Sequence, residues 1–293
     1  MTTGYSITFN LPKEQWLVLE PTLGELFEAL VVKPERDNDP TSPEVITLIF
    51  PEDPQVEMVQ EQLDFVFENA DLKAPKITVE KLPDIDWLQQ VYENIKPIDA
   101  GRFFVHGSHI KENIPKDKIA ILIEAATAFG TGEHPTTKGC LMAYDMLLDK
   151  TTPKKILDMG CGSGILAIAA ARTLPHAEKI IGVDIDVQSV HVAANHARDN
   201  GLEHDIVFVA GNGFRVPLVQ EEKMYDLVFA NILAQPLIEM AEEFSAVASK
   251  DIILSGFTIE QMPYVQKPYD ALGFTKVQEI KIDEWIALWL TRN

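Results

Sequence analysis

The sequence predicts an α/β protein with two domains, in which a small α+β domain precedes a larger domain built on a mostly parallel sheet. The chain has 293 residues, which is enough for two domains of roughly 100–200 residues each. From about residue 113 onward, short and continuously apolar runs alternate with segments of helical length. One run leads into three glycines at alternate positions, Gly160, Gly162 and Gly164, a pattern typical of a turn after a strand.

Residues 1–82 are predicted to form an antiparallel sheet with helices on one face. The strands are YSITFNL, EVITLIF and KITVEKL. A largely helical segment is expected from Pro12 to Leu30, with an interruption near Pro21. A second helix follows EVITLIF, because apolar side chains recur there on one helical face: Val56, Val59, Leu63, Val66 and Phe67.

Residues 83–112 are predicted as a connector with a short helix in DIDWLQQVYENIKP, and residues 113–293 as the second domain. The apolar runs of that domain are KIAILIEA, KKILDMG, KIIGVDI, DIVFVAG, YDLVFAN and DIILSGF. Because the runs are apolar at successive positions, we expect a parallel sheet with helices on both faces. The final segment, GFTKVQEIKIDEWIALWLTR, predicts two closing strands at an antiparallel edge.

Charge restricts the partners that the protein can have. Asp and Glu number 45 against 25 Lys and Arg, for a net charge of −20. Residues 1–98 hold 19 of these acids and 7 of the bases, so their net charge is −12. An acidic surface repels phosphate, so direct binding to nucleic acid is not expected, whereas a basic partner is favoured.

Cysteine usage and hydropathy indicate a cytoplasmic protein. Cys140 and Cys161 are too few for a disulfide framework and indicate reduced thiols. No charged and then apolar leader opens the sequence, and no uncharged apolar run reaches 18 residues. We therefore expect no contact with a membrane. We also expect a monomer, because no heptad or long exposed apolar edge indicates assembly.

The glycine-rich turn predicts a ligand site at the carboxyl end of the first core strand. Glycines there allow positive φ and let backbone N–H groups approach a ligand, but their spacing is not the dinucleotide pattern G-x-G-x-x-G. Asp184 ends the next strand, where an acid accepts hydrogen bonds from ribose hydroxyls. The alternative for Asp184 is a helix N-cap. Asn212 follows the third strand, at a position suited to contact an adenine edge.

Asn231 follows the apolar run YDLVFA and begins a loop, ANILAQPL. Its side chain can hold an amine with the lone pair aimed at an electrophile, which is catalysis by orientation. The alternative is an N-cap for a helix that begins near Pro236, although five residues is a poor distance for a cap. Together with the glycine turn and Asp184, this residue points to a nucleoside joined to an amino-acid moiety.

DMGCGSG and GVDID resemble the first two motifs of the class I S-adenosylmethionine-dependent methyltransferases, which share a Rossmann-like domain. More narrowly, ATAFGTGEHPTTKGCL, ILDMGCGSGILAIAA and ANILAQPL resemble the bacterial ribosomal protein L-eleven (L11) methyltransferases, the PrmA family. The resemblance runs from about Lys111 to the end, and DWLQQVYENIKP in the connector shares it. It implies methylation of amino groups of ribosomal protein L11, at lysine side chains and the N-terminal amine.

The resemblance also implies the cofactor and its contacts. S-adenosyl-L-methionine would be bound by Thr137, Gly160, Asp184 and Asn231. The loop Phe129–Thr137, which includes Gly130 and Thr131, would cover the cofactor and the reacting amine. The N-terminal domain would recognise the substrate, and its acidity suits a basic ribosomal protein.

His134 is the nearest candidate for a general base, and the alternative is a structural hydrogen bond that fixes the loop. No metal site is expected, because the chain has no cysteine cluster and its histidines lack ligand spacing.

One departure concerns the wider class of amino-group methyltransferases. Many of them carry Asn-Pro-Pro-aromatic where this chain has Asn231-Ile232-Leu233-Ala234, which argues against a glutamine or adenine-amine methylase.

Two other hypotheses stay open. One is a methyltransferase for another protein lysine or small amine, which a substrate test separates. The other is a non-catalytic binding module with the same fold, against which Asp184, Asn231 and the glycine turn argue.

Overall fold

The computed structural model describes residues 4–12, 15, 29–35, 42–50, 53–69, 72–82, 97–110, 114–124, 135–222 and 224–292. The chain divides into two compact units, Met1–Val91 and Tyr92–Asn293. The division lies inside the segment 83–112 that the sequence predicts as a connector. The helix predicted within DIDWLQQVYENIKP falls on residues outside the described ranges.

The first unit contains an antiparallel sheet in the order β2-β3-β1-β4 and one described helix longer than a turn, α1. Their bounds are β1 Tyr5–Leu11, β2 Ala29–Pro34, β3 Glu44–Phe50, α1 Val56–Asn69 and β4 Val79–Lys81. Alternate residues of β1 and the predicted face of α1 join in one buried cluster, which includes Ile7, Phe9, Val59, Leu63 and Phe67.

The helix predicted from Pro12 to Leu30 is wrong at its end. Ala29 and Leu30 open strand β2, where they pair with Ile49 and Leu48 of β3. The β-branched pair Val31 and Val32 favours a strand here, and pairing with β3 outweighs the helix-forming residues that precede it. Most of the remaining segment lies outside the described residues.

A small sheet opens the second unit, with strands β5 Ile98–Ala100, β6 Phe103–His106 and β7 Ile119–Leu122. The pairing is antiparallel between β5 and β6 and parallel between β6 and β7. The run KIAILIEA thus forms a strand, but the expectation that it joins the large sheet is wrong. The reason is that β6, from the stretch predicted as connector, supplies its partner: Val105 pairs with Ile121.

The large sheet has seven strands in the order β10-β9-β8-β11-β12-β14-β13. Pairing is parallel from β10 through β12 and antiparallel for the last two strands, as predicted. The strands are β8 Lys155–Met159, β9 Lys179–Asp184, β10 Val207–Ala210, β11 Tyr225–Asn231, β12 Ala248–Thr258, β13 Thr275–Ile282 and β14 Trp285–Thr291. The predicted fold class, α/β with a mostly parallel sheet and an antiparallel edge, is confirmed.

Helices cover both faces of this sheet. They are α2 Pro135–Leu148, α3 Ile165–Thr173, α4 Val187–Asp199, α5 Pro217–Glu222, α6 Ala234–Glu239, α7 Ala241–Val247 and α8 Met262–Ala271. Ile156 and Leu157 are neighbours in β8, yet they belong to different buried clusters, one on each face. This double burial is why the strands are apolar at successive positions. Within the described ranges, no helix is long and apolar enough to cross a membrane.

The order of the strands reverses at β8, which lies between β9 on one side and β11 on the other. In open α/β sheets, ligands bind beyond the carboxyl ends of the strands at such a switch point. Gly160 follows β8 directly, and Asn231 is the last residue of β11. The topology therefore brings the two strongest sequence signals to one edge of the sheet.

Candidate active site

The glycine turn after β8 adopts a backbone that glycine permits and other residues resist. Gly160, Gly162 and Gly164 have φ of 70°, 51° and 78°. The N–H groups of Gly160 and Cys161 both donate to the Val183 carbonyl oxygen, at 2.8 and 3.0 Å. These bonds fix the turn against the end of β9.

Asp184 at the end of β9 also holds the turn. Its Oδ2 accepts a hydrogen bond from the Gly162 N–H at 2.8 Å, and its Oδ1 accepts one from the Asp186 N–H at 3.0 Å. An ionised carboxylate offers about four lone-pair positions, so two remain for donors such as ribose hydroxyls. Asp184 is half-buried, which leaves its carboxylate accessible at the strand end.

The structure rejects the alternative in which Asp184 caps a helix. The N-cap of α4 is Asp186, whose carboxylate accepts from the backbone N–H groups of Gln188 and Ser189 at 3.0 and 2.9 Å. The Ser189 hydroxyl donates a third bond at 2.8 Å. The Ser189 side chain and these backbone donors lower the pKa of Asp186. With the cap supplied by Asp186, Asp184 is left for a different role.

Asn231 contacts Thr137 across the sheet edge. The Asn231 Nδ2 donates to the Thr137 Oγ1 at 3.2 Å, and Thr137 is buried in the first turn of α2. This bond fixes the orientation of the amide, so that the carbonyl Oδ1 is the acceptor that Asn231 can present. The alternative as a helix cap is rejected, because the N-cap residue of α6 is Leu233.

The loop after Asn231 packs closely against two glycines, Gly256 and Gly160. The Ile232 N–H donates to the Ser255 carbonyl oxygen of β12 at 3.1 Å. A Cβ added at Gly256, where φ is +92°, would lie 2.2 Å from the Ile232 carbonyl oxygen. A Cβ at Gly160 would lie 2.3 Å from the Ile232 Cγ2. Sequence reasoning missed Gly256 and Ile232, although a glycine inside a strand is itself a signal of close approach.

Asn212 lies where its position in the sequence places it, after β10, and is exposed. The Gly211 N–H donates to the Asp184 carbonyl oxygen at 2.8 Å, so the chain just before Asn212 is bonded to the end of β9. The structure brings Asn212 to the same edge as Asp184, and its contact with an adenine edge stays a prediction. Four other predicted residues lie outside the described ranges: Phe129, Gly130, Thr131 and His134.

Two exposed apolar side chains stand beside the predicted polar ones. Ile185 follows Asp184 and is 75% exposed, and Leu233 lies two residues after Asn231 and is 71% exposed. Ligand sites in proteins combine a few oriented polar groups with apolar surface that the ligand covers. Sequence analysis did not single out either residue. Their signal was position, since each adjoins a strand end that carries a predicted contact.

Burial raises the pKa of three ionisable groups of the second unit and so disfavours their charged forms. It raises the pKa of Asp158, the fourth residue of β8, to about 7, with a smaller effect from the charge of Asp184. A bond from the Ala167 N–H at 3.1 Å acts in the opposite direction. Burial also raises the pKa of Cys140 and Cys161. Both thiols therefore stay protonated near neutral pH, and neither is a nucleophile of the site.

No candidate metal centre accompanies this arrangement in the part of the chain that the structure describes. No group of three or more His, Cys, Asp or Glu side chains there is placed to hold a metal ion.

The fold and the site define the class of protein. A seven-stranded sheet with its switch point at β8, a glycine turn after that strand and an acid ending the next strand are the arrangement of a Rossmann-like class I methyltransferase. The family model of the ribosomal protein L11 methyltransferases (PrmA) matches residues 20–293. The chain belongs to this family.

Individual relatives agree with the family assignment. A protein named ribosomal protein L11 methyltransferase from a Caulobacter species is 44% identical over 219 residues, 74% of this chain and 75% of its own length. A protein of the same name from Rhodopseudomonas palustris is 39% identical over 273 residues, 92% of this chain and 89% of its own.

A solved structure agrees as well. The ribosomal protein L11 methylase from Lactobacillus delbrueckii superposes with a TM-score of 0.59 at 25% identity, covering 68% of this chain and all of that one. The family assignment confirms the predicted resemblance and the predicted class, a methyltransferase dependent on S-adenosyl-L-methionine.

Gly256→Ala tests the close approach to Ile232. We expect the free energy of unfolding to fall by about 3 kcal/mol or more, from the positive φ and from the displaced Ile232 backbone. Gly273→Ala is the control, because Gly273 has φ of +88° but nothing within 4 Å of an added Cβ. It should cost only the strain, about 1–2 kcal/mol. Urea unfolding measures both, and equal losses would show that the contact with Ile232 contributes nothing.

Proposed function

We propose that this protein transfers methyl groups from S-adenosyl-L-methionine to amino groups of ribosomal protein L11, at lysine side chains and at the N-terminal amine. The family assignment supports the reaction and the substrate, because its named relatives are L11 methyltransferases. The single structural observation that carries the proposal is the bond from Asn231 to Thr137 beside the glycine turn. It presents an oriented amide oxygen at the place where a nucleoside cofactor would end.

The residues present fit the cofactor. Asp184 has two lone-pair positions for ribose hydroxyls, and the exposed side chain of Ile185 next to it offers apolar surface that a nucleoside can cover. S-adenosyl-L-methionine, when bound, supplies a methyl group on an electrophilic sulfonium. The residues that would hold it are Phe129, Gly130, Thr131, Thr137, Gly160, Gly162, Gly164, Asp184, Asn212 and Asn231.

Asn231 would orient the amine rather than deprotonate it. An acceptor at Oδ1 holds one N–H of a neutral amine, and the amine lone pair is then directed by that bond. A lysine amine has a pKa of about 10.4 and an α-amine about 7.7–8.0 in water, and a site that excludes water lowers both. Binding therefore promotes loss of the proton without an obligatory general base. His134 is the residue that we propose as an additional proton acceptor.

The first domain would recognise the substrate, so we propose residues 1–82 for recognition, 83–112 as a connector and 113–293 for transfer. The support is a surface on α1 that we call the acidic face, formed by exposed Glu57, Glu61, Asp64 and Glu68. Their spacing places all four on one side of the helix. Phe65 beside them is 68% exposed, and α1 contains no Lys or Arg. Such a surface attracts a basic protein.

We further propose that the enzyme acts as a cytoplasmic monomer without direct contact to nucleic acid or membrane. The net charge of −20 supports this proposal, because it disfavours anionic polymers and anionic lipid surfaces and favours a soluble single chain. The two thiols, both protonated and unpaired, fit a reducing compartment.

The test of the proposed function is the intact mass of unmodified L11 before and after incubation with the protein and S-adenosyl-L-methionine. We expect methyl-sized mass steps, and fragmentation then locates the amines. An unchanged mass with cofactor binding intact would move the substrate to another protein lysine or small amine. An unchanged mass without cofactor binding would indicate a non-catalytic module.

Two substitutions separate cofactor binding from turnover. Asp184→Ala should weaken the Kd for S-adenosyl-L-methionine by about a hundredfold, because ribose hydroxyls lose a charged acceptor. Asn231→Ala should lower kcat by about a hundredfold, because orientation of the amine is lost, and should weaken the cofactor Kd by about tenfold at most, because one of several cofactor contacts is lost. Calorimetry gives the Kd and mass spectrometry the rate. The opposite pattern, with Asn231 needed for affinity and Asp184 for turnover, contradicts the assigned roles.

Neutralising the acidic face tests substrate recognition by the first domain. The variant carries four replacements: E57Q, E61Q, D64N and E68Q. We expect the KM for L11 to rise about tenfold at low salt and the difference to shrink at high salt, with kcat unchanged. The control neutralises four exposed acids of the second unit: D199N, E203Q, D205N and E260Q. If both variants raise the KM equally, total charge and not the acidic face attracts L11.

A further inference from the structure

His196 is a buried histidine of α4 that the proposed reaction does not use. Its side chain is 3% exposed and reaches two separate segments of the second unit. Its Nδ1 lies 2.9 Å from the Ser163 carbonyl oxygen, in the glycine turn. Its Nε2 accepts a hydrogen bond from the Glu124 N–H at 3.3 Å, in the segment that follows β7.

These two contacts define the protonation state of the ring. A backbone N–H can only donate, so the Nε2 that faces Glu124 has to be the unprotonated nitrogen. The single proton of a neutral imidazole then sits on Nδ1, where it donates to the Ser163 carbonyl. The Glu124 N–H thus selects the tautomer that the glycine turn requires.

The bond from His196 completes the fixation of the turn. Asp184 accepts from the Gly162 N–H on one side, and His196 donates to the Ser163 carbonyl on the other. Glycine has the widest freedom of rotation, so hydrogen bonds of this kind help to order a turn in which Gly162 and Gly164 flank one serine. Ser163 is itself buried, so water does not replace the bond from His196 when the histidine is removed.

The link between α4 and β7 does not depend on His196. Asn200, one helical turn further on, accepts from the Leu122 N–H at 3.0 Å and donates to the Leu122 carbonyl oxygen at 2.7 Å. Its Nδ2 also donates to the His196 carbonyl oxygen at 2.8 Å. Two bonds already join α4 to the strand, so the distinctive contribution of the His196 side chain is its bond to the glycine turn.

We infer that His196 is a positioning residue for cofactor binding, which acts by donating from Nδ1 to the Ser163 carbonyl and so holds the glycine turn in its binding conformation. The inference rests on the proposed assignment of that turn to S-adenosyl-L-methionine. It makes His196 neither a contact of the cofactor nor a proton acceptor in the reaction. Its loss should therefore raise the Kd and the KM for the cofactor and leave kcat at saturation unchanged.

Two conservative substitutions separate the two nitrogens. In His196→Asn, the amide nitrogen is as many bonds from Cβ as Nδ1 is in histidine, so a donor for the Ser163 carbonyl is kept. In His196→Gln, the amide group is as many bonds from Cβ as Nε2 is in histidine, so an acceptor for the Glu124 N–H is kept. We expect the cofactor Kd of His196→Asn to stay within about threefold of the native value and that of His196→Gln to rise about tenfold, because the bond from Nδ1 to the Ser163 carbonyl is kept in the first variant and lost in the second. His191→Asn, an exposed histidine on the same helix, should change nothing.

Calorimetric titration with S-adenosyl-L-methionine and thermal melting, run on all three full-length variants, decide the matter. A higher cofactor Kd for His196→Gln than for His196→Asn, at similar melting temperatures, supports the inference. Equal Kd values, the reverse order, or losses that merely follow the melting temperature would overturn it. A native protein that fails to bind the cofactor would reject the proposed function instead, so the two failures are distinguishable.

The tautomer can be tested on the native protein without any substitution. Long-range proton–nitrogen correlation spectra report which ring nitrogen carries the proton. We expect His196 in the Nδ1–H form, both free and with S-adenosyl-L-methionine bound. An Nε2–H form or a doubly protonated ring at neutral pH would overturn the inference even if every variant failed to fold.

Discussion

The close approach of three strand ends is the constraint on which the site depends. Ile232 follows β11 and is packed against the turn after β8 and against β12, so closely that a Cβ at either Gly160 or Gly256 would lie within 2.3 Å of it. Asn231 immediately precedes Ile232, and its amide is bonded to Thr137. The position of the proposed catalytic amide is thus set by the packing of Ile232 against the two glycines and by the hydrogen bond from Asn231 to Thr137. A loop placed this way needs no further support to hold its geometry.

The same packing gives the glycines of the turn a double purpose. Their positive φ values allow the tight turn after β8, and the missing side chain at Gly160 leaves room for Ile232. A larger residue at Gly160 would displace Ile232, and Asn231 with it. The proposed cofactor site and the proposed amine site are therefore coupled by steric contact, which would keep a methyl donor and an acceptor aligned at one sheet edge.

Sequence patterns predicted the parts of this protein that depend on local chemistry. The large sheet was predictable because residues such as Ile156 and Leu157 are buried on opposite faces, which leaves a continuous apolar run. The glycine turn, Asp184 and Asn231 were predictable because they follow such runs. Strand β7 was misplaced, because its partner β6 comes from a polar stretch whose pairing no local pattern reveals. Strand β2 was missed where helix-forming residues precede it.

Two of the residues that sequence reasoning overlooked contact partners far away in the chain. Gly256 matters through Ile232, and His196 matters through Ser163 and Glu124, which are 33 and 72 positions away in the chain. The sequence shows only that the spacing of His191 and His196 is poor for a pair of metal ligands. The role of a buried histidine is set by the groups that face its two nitrogens, and the sequence does not place those groups.

Hydrogen bonds within the protein decide which groups the site can offer to a cofactor. The Gly162 N–H is committed to Asp184, and the N–H groups of Gly160 and Cys161 are committed to Val183, so these three donors are not directed at a ligand. In the proposed function, recognition of a nucleoside would therefore depend on the remaining lone pairs of Asp184 and on exposed apolar surface such as Ile185. Because the carboxylate and the turn are already ordered by each other, binding has little ordering entropy to overcome. A site built this way binds through its shape and through one oriented acid, which suits a cofactor that carries its own reactivity.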